Sequence, residues 1–316
     1  MLDQARQAAA LWGLGTAPIE LAARRENVVF RVAAPSGDLA LRFHRPGYRD
    51  KAQLTSELEW TAALALGGLS VPAPIAAQNG ALIQQHGEHF VDMLEWLPGA
   101  PLGKAGELQG VEDRVGFCRR LGAAMAELHR ISDEWGQPTG FSRPSWDRNG
   151  LLGEAPLWGR FWEHPDLGSK DRAMLEKLRV LAGKALADIE ETADYGLIHA
   201  DLLSENMLFD GRHLSFIDFD DGGFGFRDFE LATFLLRYEN APDYADLCIA
   251  LCAGYARRRE VAQDVLDLML LLRALTYPGW IMERLDEPRG QERSDRAIHT
   301  AMSQARRWLV KYGGGL

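Results

Sequence analysis

The pattern of apolar and polar positions changes once along this chain, near residue 111. Before that point, short apolar runs separated by turns rich in glycine, proline and asparagine predict strands at residues 28–32, 39–43, 81–84 and 89–96. One long helix is predicted among them, at residues 48–66. Beyond residue 111, apolar side chains recur every three or four positions, which predicts amphipathic helices.

These two patterns predict an α+β protein with two lobes, for which 316 residues are sufficient. The small lobe, residues 1–97, is expected to be mainly antiparallel β-sheet with one major helix. The larger, helical lobe is expected to cover residues 98–316 and to follow a hinge at about 94–99. In this lobe the first helix is predicted to close at His129, and residues 135–155 are predicted to be a loop.

Residues 197–221 interrupt the helical pattern of the second lobe. Three short apolar strands are predicted here, and Asp210-Gly211 is a strong hairpin signal between the second and the third. The third strand is predicted to cover residues 214–218, which would place Asp218 at its end. The turn residues His199, Asp201 and Asn206 would then lie close to Asp218 at one end of the hairpin.

The polar residues of this stretch have the chemistry that phosphoryl transfer needs. Asp201 is predicted to receive the proton of the attacking hydroxyl. Asn206 and Asp218 offer the hard oxygen ligands that Mg²⁺ prefers, and Asp220 is a candidate for a second metal ion or for the substrate. Each residue alone also fits ordinary turn chemistry, so it is their order along the chain that favours a site.

Three segments carry a family resemblance: Ile-His-Ala-Asp at 198–201, Asn-Met-Leu-Phe-Asp-Gly at 206–211 and Phe-Ile-Asp-Phe-Asp-Asp at 216–221. They resemble the aminoglycoside phosphotransferase and choline kinase superfamily, and look closest to its homoserine-kinase-like and stress-response-kinase-like bacterial members. The resemblance implies a protein-kinase-like fold with ATP and Mg²⁺ as cofactors. It also implies that Asp201 is the catalytic base and that His199 is a scaffold for the catalytic loop.

The same resemblance assigns a set of nucleotide-binding residues, namely Arg42, Glu57, Asn27, Glu95, Trp96 and Leu97. Arg42 stands where the family has a phosphate-gripping lysine, and either Glu57 (preferred) or Glu59 would pair with it. A surface ion pair of little value is the alternative interpretation. Asn27 ends the segment 23–27, which is expected to cover the phosphates, and the other three residues belong to the hinge.

One departure from the family pattern concerns the residue that braces the catalytic loop, where Glu230 replaces the usual aspartate. The acceptor is expected to be a hydroxyl of a small, amine-bearing molecule such as homoserine, choline or an aminoglycoside. A Ser/Thr protein kinase and a non-catalytic pseudokinase are the alternatives. Aromatic residues of the helical lobe, among them Trp158, Tyr238 and Tyr277, are candidates for lining the acceptor pocket.

Composition excludes some partners. A net charge of −10 argues against nucleic acid and is compatible with a cationic substrate. We expect no membrane span, because the longest apolar run, residues 266–275, is short and contains two charges. Three cysteines without a Cys-x-x-Cys pair are typical of reduced thiols, and we expect a cytoplasmic protein.

Overall fold

The structure, a computed structural model, describes residues 1–24, 27–104 and 106–313. Its contacts divide the chain into two compact units. Unit 1 contains Met1–Gly103, Arg130–Arg143 and Glu205–Asp220, and unit 2 contains Lys104–His129, Pro144–Ser204 and Asp221–Leu316. Two segments of unit 1 therefore lie beyond residue 97 in the sequence, and the lobe boundary proposed there stays a prediction.

Unit 1 is built on a five-stranded antiparallel sheet, which confirms the predicted antiparallel sheet, although only four of its strands were predicted. Its strands are β1 (Ile19–Arg24), β2 (Val28–Ala34), β3 (Gly37–Phe43), β4 (Gln84–His86) and β5 (His89–Glu95). They are arranged in the order β1-β2-β3-β5-β4. The complete helices of this unit are α1 (Leu2–Ala9) and α2 (Lys51–Leu66). Strand β4 begins at Gln84 rather than at the predicted residue 81, because the Asn79 side chain binds the Ala81 amide and holds the preceding residues in a turn.

Alternation along β3 decides which side chains reach α2. Leu39, Leu41 and Phe43 face the apolar core that contains α1. Ala40 belongs to the second core, which contains Leu54 and Leu58 of α2 and Leu94 of β5, and so lies on the opposite face of the sheet. The next residue on that face is Arg42, which is therefore directed toward α2.

Helix α2 begins three residues later than predicted, at Lys51 rather than at residue 48. Asp50 is the N-cap, and its side chain accepts a hydrogen bond from the Gln53 amide at 2.8 Å. The Gln53 side chain returns a contact to the Asp50 amide, which completes a capping box. These two reciprocal bonds satisfy amides at the helix start and fix its first residue.

A small three-stranded sheet in unit 1 carries the stretch with the predicted metal ligands. Its strands are β6 (Ala100–Pro101), β9 (Met207–Phe209) and β10 (Leu214–Phe216), in the order β10-β9-β6. The predicted hairpin is confirmed, and Asp210 closes its turn by accepting bonds from the amides of Arg212 and His213. The third strand ends at Phe216, so its predicted extension to Asp218 is wrong.

Unit 2 is mainly helical and contains one small sheet. Its strands are β7 (Ser145–Trp146), β8 (Tyr195–Ile198) and β11 (Gly223–Phe226), in the order β7-β11-β8. Its helices, with α3 continuing into unit 1, are α3 (Arg114–Glu134), α4 (Arg148–Leu152), α5 (Ser169–Ile189), α6 (Asp228–Leu235), α7 (Tyr244–Tyr255), α8 (Gln263–Ile281) and α9 (Gly290–Tyr312).

Two predictions for this region are corrected. Helix α3 does not close at His129 but continues to Glu134. The predicted loop at 135–155 contains β7 and α4, because Ser145–Trp146 pairs with β11 and Asp147 caps α4 through the Gly150 amide. Neither element has a periodic sequence signal, since a two-residue strand and a five-residue helix are too short to show one.

Helix α8 forms the centre of unit 2 and packs against α6 and α9. Together with the turn that follows, Gln263–Arg284 is long and apolar enough to cross a membrane, so the expectation that no segment reaches that length is wrong. However, 72% of its apolar window is buried inside the protein, as in the core helix of a globular fold. Length and composition alone therefore do not identify this helix as a membrane span.

Candidate active site

The β9–β10 hairpin brings Asn206 and Asp218 to the same end of unit 1. Met207 and Phe216 are paired across the two strands, and the amide of Ile217 donates to the Asn206 carbonyl at 3.0 Å. Asn206 immediately precedes one strand, and Asp218 follows the other by two residues. The pairing register thus places these two predicted metal ligands side by side at the hairpin's open end.

Backbone conformation explains why the strand stops before Asp218. Asp218 has φ = 67°, a left-handed conformation that breaks β pairing and that few residues other than glycine, asparagine and aspartate adopt. Its side chain is exposed, whereas Asp220 is buried. Arg143 and Arg49 fix the segment by donating to the Asp220 carbonyl. The strand would have placed Asp220 on the same face as Asp218 only if it had continued; it ends at Phe216, so neither residue lies on it.

Arg42 lies in a buried ionic cluster with two carboxylates. Its Nη1 donates to Glu57 Oε1 at 2.9 Å, and its Nε and Nη2 donate to the two oxygens of Asp92 at 2.8 Å each. The β3–β5 register places Arg42 directly opposite Asp92. Two further residues complete the cluster: His44, 2.6 Å from Asp92, and Arg143, 3.5 Å from Glu57. The Arg42–Glu57 pair is buried, which excludes the alternative interpretation that it is an exposed surface ion pair.

Opposite charges keep Arg42 and Asp92 ionised. Burial alone would lower the pKa of Arg42, but the charges of Asp92 and Glu57 raise it well above its usual range, and Asp218 adds to this effect. Burial would raise the pKa of Asp92, yet the charge of Arg42 holds it well below its usual range. The contribution of Asp218 indicates that a predicted metal ligand and the predicted phosphate-binding cation act on each other electrostatically within one unit.

The geometry of Arg42 leaves it able to bind a further anion. A guanidinium group has five N–H bonds. Three of them are used in the contacts with Glu57 and Asp92. Among the described residues, one N–H on each terminal nitrogen has no carboxylate partner, and guanidinium N–H groups bind phosphate oxygens well.

The other predicted nucleotide-binding residues of the small lobe are more dispersed. Glu59 does not pair with Arg42 but lines a surface groove of about 330 Å³ with Arg130, Ile131 and Trp135. The Asn27 side chain accepts a hydrogen bond from the Arg45 amide at 3.2 Å. Of the predicted phosphate-covering segment, Arg25 and Glu26 lie outside the described residues.

The predicted hinge follows the end of β5. The amides of Glu95 and Trp96 donate to the carbonyls of Ala73 and Asp38, at 2.9 and 3.1 Å. Among the described residues, the Leu97 amide has no such partner. A backbone donor just beyond the end of a strand is suited to a planar heterocycle, which is the role predicted for this segment.

In unit 2, His199 and Asp201 of the catalytic-loop motif lie in one hydrogen-bonded group with Glu230. The amide of His199 donates to Glu230 Oε2 at 2.5 Å, and the amide of Asp201 contacts His199 Nδ1 at 3.3 Å. Ala200 between them has φ = 66°. The buried His199 ring therefore holds the backbone of Asp201, as a scaffold residue would, and the prediction that Glu230 braces this loop is confirmed.

Glu230 is wholly buried, and its environment favours the protonated form. Burial raises the pKa of Glu230 to about 8, although the backbone amides of His199 and Ala200 and the charge of Arg273 oppose the shift. His129 lies 3.7 Å from the same carboxyl group. Burial lowers the pKa of His129 well below its usual range, so this imidazole is neutral and does not compensate a carboxylate.

Sequence reasoning missed Arg273, the arginine of α8. Its Nη2 donates to Asp201 Oδ1 at 2.7 Å, and its guanidinium carbon lies 4.6 Å from the ring centre of Trp158 and 4.8 Å from that of Tyr277. These two aromatic residues were predicted to line the acceptor pocket, but the ring faces turned to Arg273 bind a cation of the protein itself. The available signal was one basic residue inside a run of leucines.

Tyr238 is another predicted pocket residue that has a structural role instead. It is buried, and its hydroxyl contacts Ser204 Oγ at 2.7 Å and the Glu107 carbonyl at 3.0 Å. Ser204 follows the catalytic-loop motif, so this hydrogen bond ties the loop to the helical part of unit 2. The sequence could not distinguish a buried tyrosine with two partners from one that faces a ligand.

The donor set at the hairpin end fits magnesium. Among the described residues, no group of three or more His, Cys, Asp or Glu side chains could hold a metal ion. Mg²⁺ usually retains several waters and is bound by one or two carboxylates plus substrate phosphates. One amide and one carboxylate, from Asn206 and Asp218, are compatible with that requirement.

Comparison with known proteins identifies the fold and the kind of chemistry. The sequence model of the APH family, described as a phosphotransferase enzyme family, matches residues 19–261. A microcompartment-associated aminopropanol kinase is 28% identical in sequence and superposes with a TM-score of 0.80 over 98% of both chains. The amicoumacin kinase hAmiN, solved in complex with AMP-PNP, Ca²⁺ and Ami, is 19% identical and has a TM-score of 0.76 over 96% of this chain and 92% of its own.

A homoserine kinase from Brucella abortus is 29% identical over 243 residues, which are 70% of this chain and 64% of the kinase. The chain thus spans less than two thirds of that relative's length. The predicted protein-kinase-like α+β fold and the predicted superfamily are confirmed.

Proposed function

Because the chain belongs to the APH phosphotransferase enzyme family, we propose that it is an ATP- and Mg²⁺-dependent kinase for a hydroxyl group of a small, amine-bearing molecule. That it is a phosphotransferase with an alcohol group as acceptor follows from the family and its kinase relatives. What we propose beyond this is the identity of the nucleotide, the metal ion and the acceptor class.

The observation that carries the proposal is the buried Arg42–Glu57 pair with Asp218 close enough to affect it. A phosphoryl-transfer site needs a cation for the phosphates and an anion for the metal ion, at short range from each other. Arg42 supplies two N–H groups for phosphate, and Glu57 and Asp92 hold the guanidinium in place. Asn206 and Asp218 would bind Mg²⁺, which neutralises charge on the transferred phosphate when it is bound.

Asp201 is assigned the role of the base. Its carboxylate accepts a hydrogen bond from the acceptor hydroxyl, which orients the oxygen toward the terminal phosphorus of the nucleotide. As the new P–O bond forms and the bond to the leaving diphosphate breaks, the hydroxyl proton passes to Asp201. His199 and Glu230 keep the backbone of Asp201 in position through the two contacts described above.

Adenine is assigned to the hinge at Glu95, Trp96 and Leu97. The Leu97 amide would donate to a ring nitrogen, and the Glu95 carbonyl would accept from the exocyclic amine. A nucleoside analogue that lacks the amine should therefore bind more weakly. Asn27, at the end of the segment expected to cover the phosphates, is assigned to the same ligand.

The acceptor class rests on the relatives and on charge. Aminopropanol and homoserine each contain a hydroxyl and an amine, and the kinases that carry these names resemble this chain over most of its length. A net charge of −10 is compatible with attraction of a cationic substrate. An amino alcohol with a primary amine is consequently the first class of acceptor to test.

The test is an ATP-consumption screen over 1-amino-2-propanol, ethanolamine, homoserine, threonine, choline, an aminoglycoside and a generic protein substrate. We expect turnover with an amino alcohol that has a primary amine. Asp201→Asn should reduce kcat by at least about 10³-fold while nucleotide binding is retained. Asp246→Asn, which changes an exposed aspartate on α7, is the matched control and should be unaffected. Normal turnover by Asp201→Asn, or phosphorylation of the protein substrate alone, would overturn the proposal.

A further inference from the structure

Arg273 is a buried charge in α8, a leucine-rich helix of unit 2. Its side chain has no exposed surface, and its neighbours Leu270, Leu271, Leu272 and Leu275 are buried as well. Transfer of a guanidinium from water into such surroundings is unfavourable unless it forms several polar contacts. The contacts that it does form therefore show where this charge is needed.

Among the described residues, the side-chain hydrogen bonds of Arg273 point to the catalytic-loop motif or to its own helix. Nη2 donates to Asp201 Oδ1 at 2.7 Å and to the Tyr277 hydroxyl at 3.3 Å, and Nη1 donates to the Ala200 carbonyl at 3.2 Å. Ala200 is the residue with the left-handed backbone just before Asp201. One side chain thus holds both the strained backbone of the loop and the carboxylate that follows it.

Aromatic rings restrict the position of the guanidinium group. Trp158, Tyr277 and Phe229 have their ring centres 4.6, 4.8 and 5.6 Å from its central carbon. Trp158 itself packs edge-on against Trp146, at 5.1 Å between ring centres. Three cation–π contacts from three different parts of the chain leave the guanidinium little freedom, so its hydrogen bond to Asp201 has a defined direction.

We propose that Arg273 is a positioning residue for the catalytic carboxylate. It binds Oδ1 of Asp201 and thereby sets the rotation of the carboxyl group, so that Oδ2 is the oxygen presented to the acceptor hydroxyl. The inference rests on the proposed function, because it gives Asp201 the role of the base. A displacement of about 1 Å of a reacting group can cost about 100-fold in rate, which makes such a support significant for catalysis.

Arg273→Gln and Arg273→Lys test the inference. We expect Arg273→Gln to lower kcat by about 10- to 100-fold, with the KM for ATP changed less than about twofold, because nucleotide binding does not involve this group. Arg273→Lys retains the charge but not the planar set of N–H donors of the guanidinium, and its kcat should lie between those of Arg273→Gln and wild type. Arg284→Gln is the matched control, since Arg284 is also buried and stacks on an aromatic ring, that of Trp280 at 4.3 Å.

A merely structural role is separated by combining the substitution with Asp201→Asn. If Arg273 acts through Asp201, Arg273→Gln has no further effect on the residual rate of Asp201→Asn. An equal loss of rate in both backgrounds would overturn the inference, as would a wild-type kcat for Arg273→Gln. Should Arg273→Gln fail to fold, Arg273→Lys is measured in the same way, and wild-type kcat in that variant would overturn it. Normal turnover by Asp201→Asn itself would instead refute the proposed function.

Discussion

Asp92 binds the Arg42 guanidinium through two parallel hydrogen bonds, from Nε to Oδ1 and from Nη2 to Oδ2, both 2.8 Å long. The two residues lie directly opposite each other on β3 and β5, and Asp92 has no exposed surface. A lysine ammonium is a point charge and cannot occupy both oxygens of Asp92 while it also reaches Glu57. Asp92 thus offers a physical reason for an arginine at a position where the family has a lysine.

Arg42→Lys should therefore be damaging although it keeps the charge. We expect the free energy of unfolding to fall by about 3 kcal/mol, because a buried carboxylate loses part of its compensation. The KM for ATP should rise as well. Urea denaturation and steady-state kinetics measure the two effects. Arg31→Lys is the control, since the Arg31–Asp38 pair of the same sheet is partly exposed and should change the stability by less than about 1 kcal/mol.

A double-mutant cycle assigns that loss to Asp92. In Arg42→Lys with Asp92→Asn, the residue facing the lysine is neutral, so the unpaired charge is removed. The double variant should be more stable than the sum of the two single losses implies, by at least about 1 kcal/mol. Additive losses would mean that the two side chains act independently and would refute this account of the arginine.

Glu230 should make the protein less stable as the pH rises. The folded carboxyl keeps its proton up to a pKa of about 8, whereas the unfolded chain loses it near 4.5. The folded state binds more protons between these values, so the free energy of unfolding falls with increasing pH and levels off above about 8. Between pH 7 and 8 we expect Glu230 to contribute a fall of about 1 kcal/mol, measurable by urea denaturation.

Glu230→Gln should remove most of this fall, because the amide does not titrate. Burial also raises the pKa of Asp228, to about 7, so a smaller dependence on pH remains in that variant. Asp228→Asn is the complementary control and should keep the fall between pH 7 and 8. The same pH dependence in Glu230→Gln and wild type would contradict the assignment.

The predicted metal ligands can be ranked by a magnesium titration. Asp218→Asn preserves the backbone, because asparagine tolerates the left-handed conformation at this position. It should raise the Mg²⁺ concentration for half-maximal rate by at least about tenfold. Asp220→Asn should raise it less, since Asp220 is buried and its carbonyl is held by two arginines. A larger shift for Asp220→Asn would reverse the assignment.

Sequence patterns were sufficient where the signal was local. The Asp210-Gly211 turn and the runs on either side of it predicted the hairpin because all of its determinants lie within ten residues. The left-handed conformation of Asp218 was not predictable, since aspartate adopts it only when the surrounding structure imposes it. The predicted strand was consequently two residues too long.

Long-range partners were missed for a different reason. Asp92 and Arg273 each stand in an apolar run, and their partners Arg42 and Asp201 are 50 and 72 positions away in the sequence. A charge in such a run predicts that a partner exists, but not which one, because many acids and bases are available. Asp92 and Arg273 are both charges within apolar runs, and each holds a predicted site residue in place, Arg42 and Asp201 respectively.

Gly99 should matter for the stability of the hairpin that carries the metal ligands. It has φ = 106°, and a Cβ at this position would lie 3.0 Å from the carbonyl carbon of Phe209 in β9. Gly80 has φ = 82°, but a Cβ there would meet nothing within 4 Å. Gly80→Ala should cost about 1 kcal/mol through backbone strain alone, and Gly99→Ala about 1–3 kcal/mol more through the clash. Equal losses in urea denaturation would show that β9 moves away without cost, and that the close contact with Gly99 does not fix the hairpin.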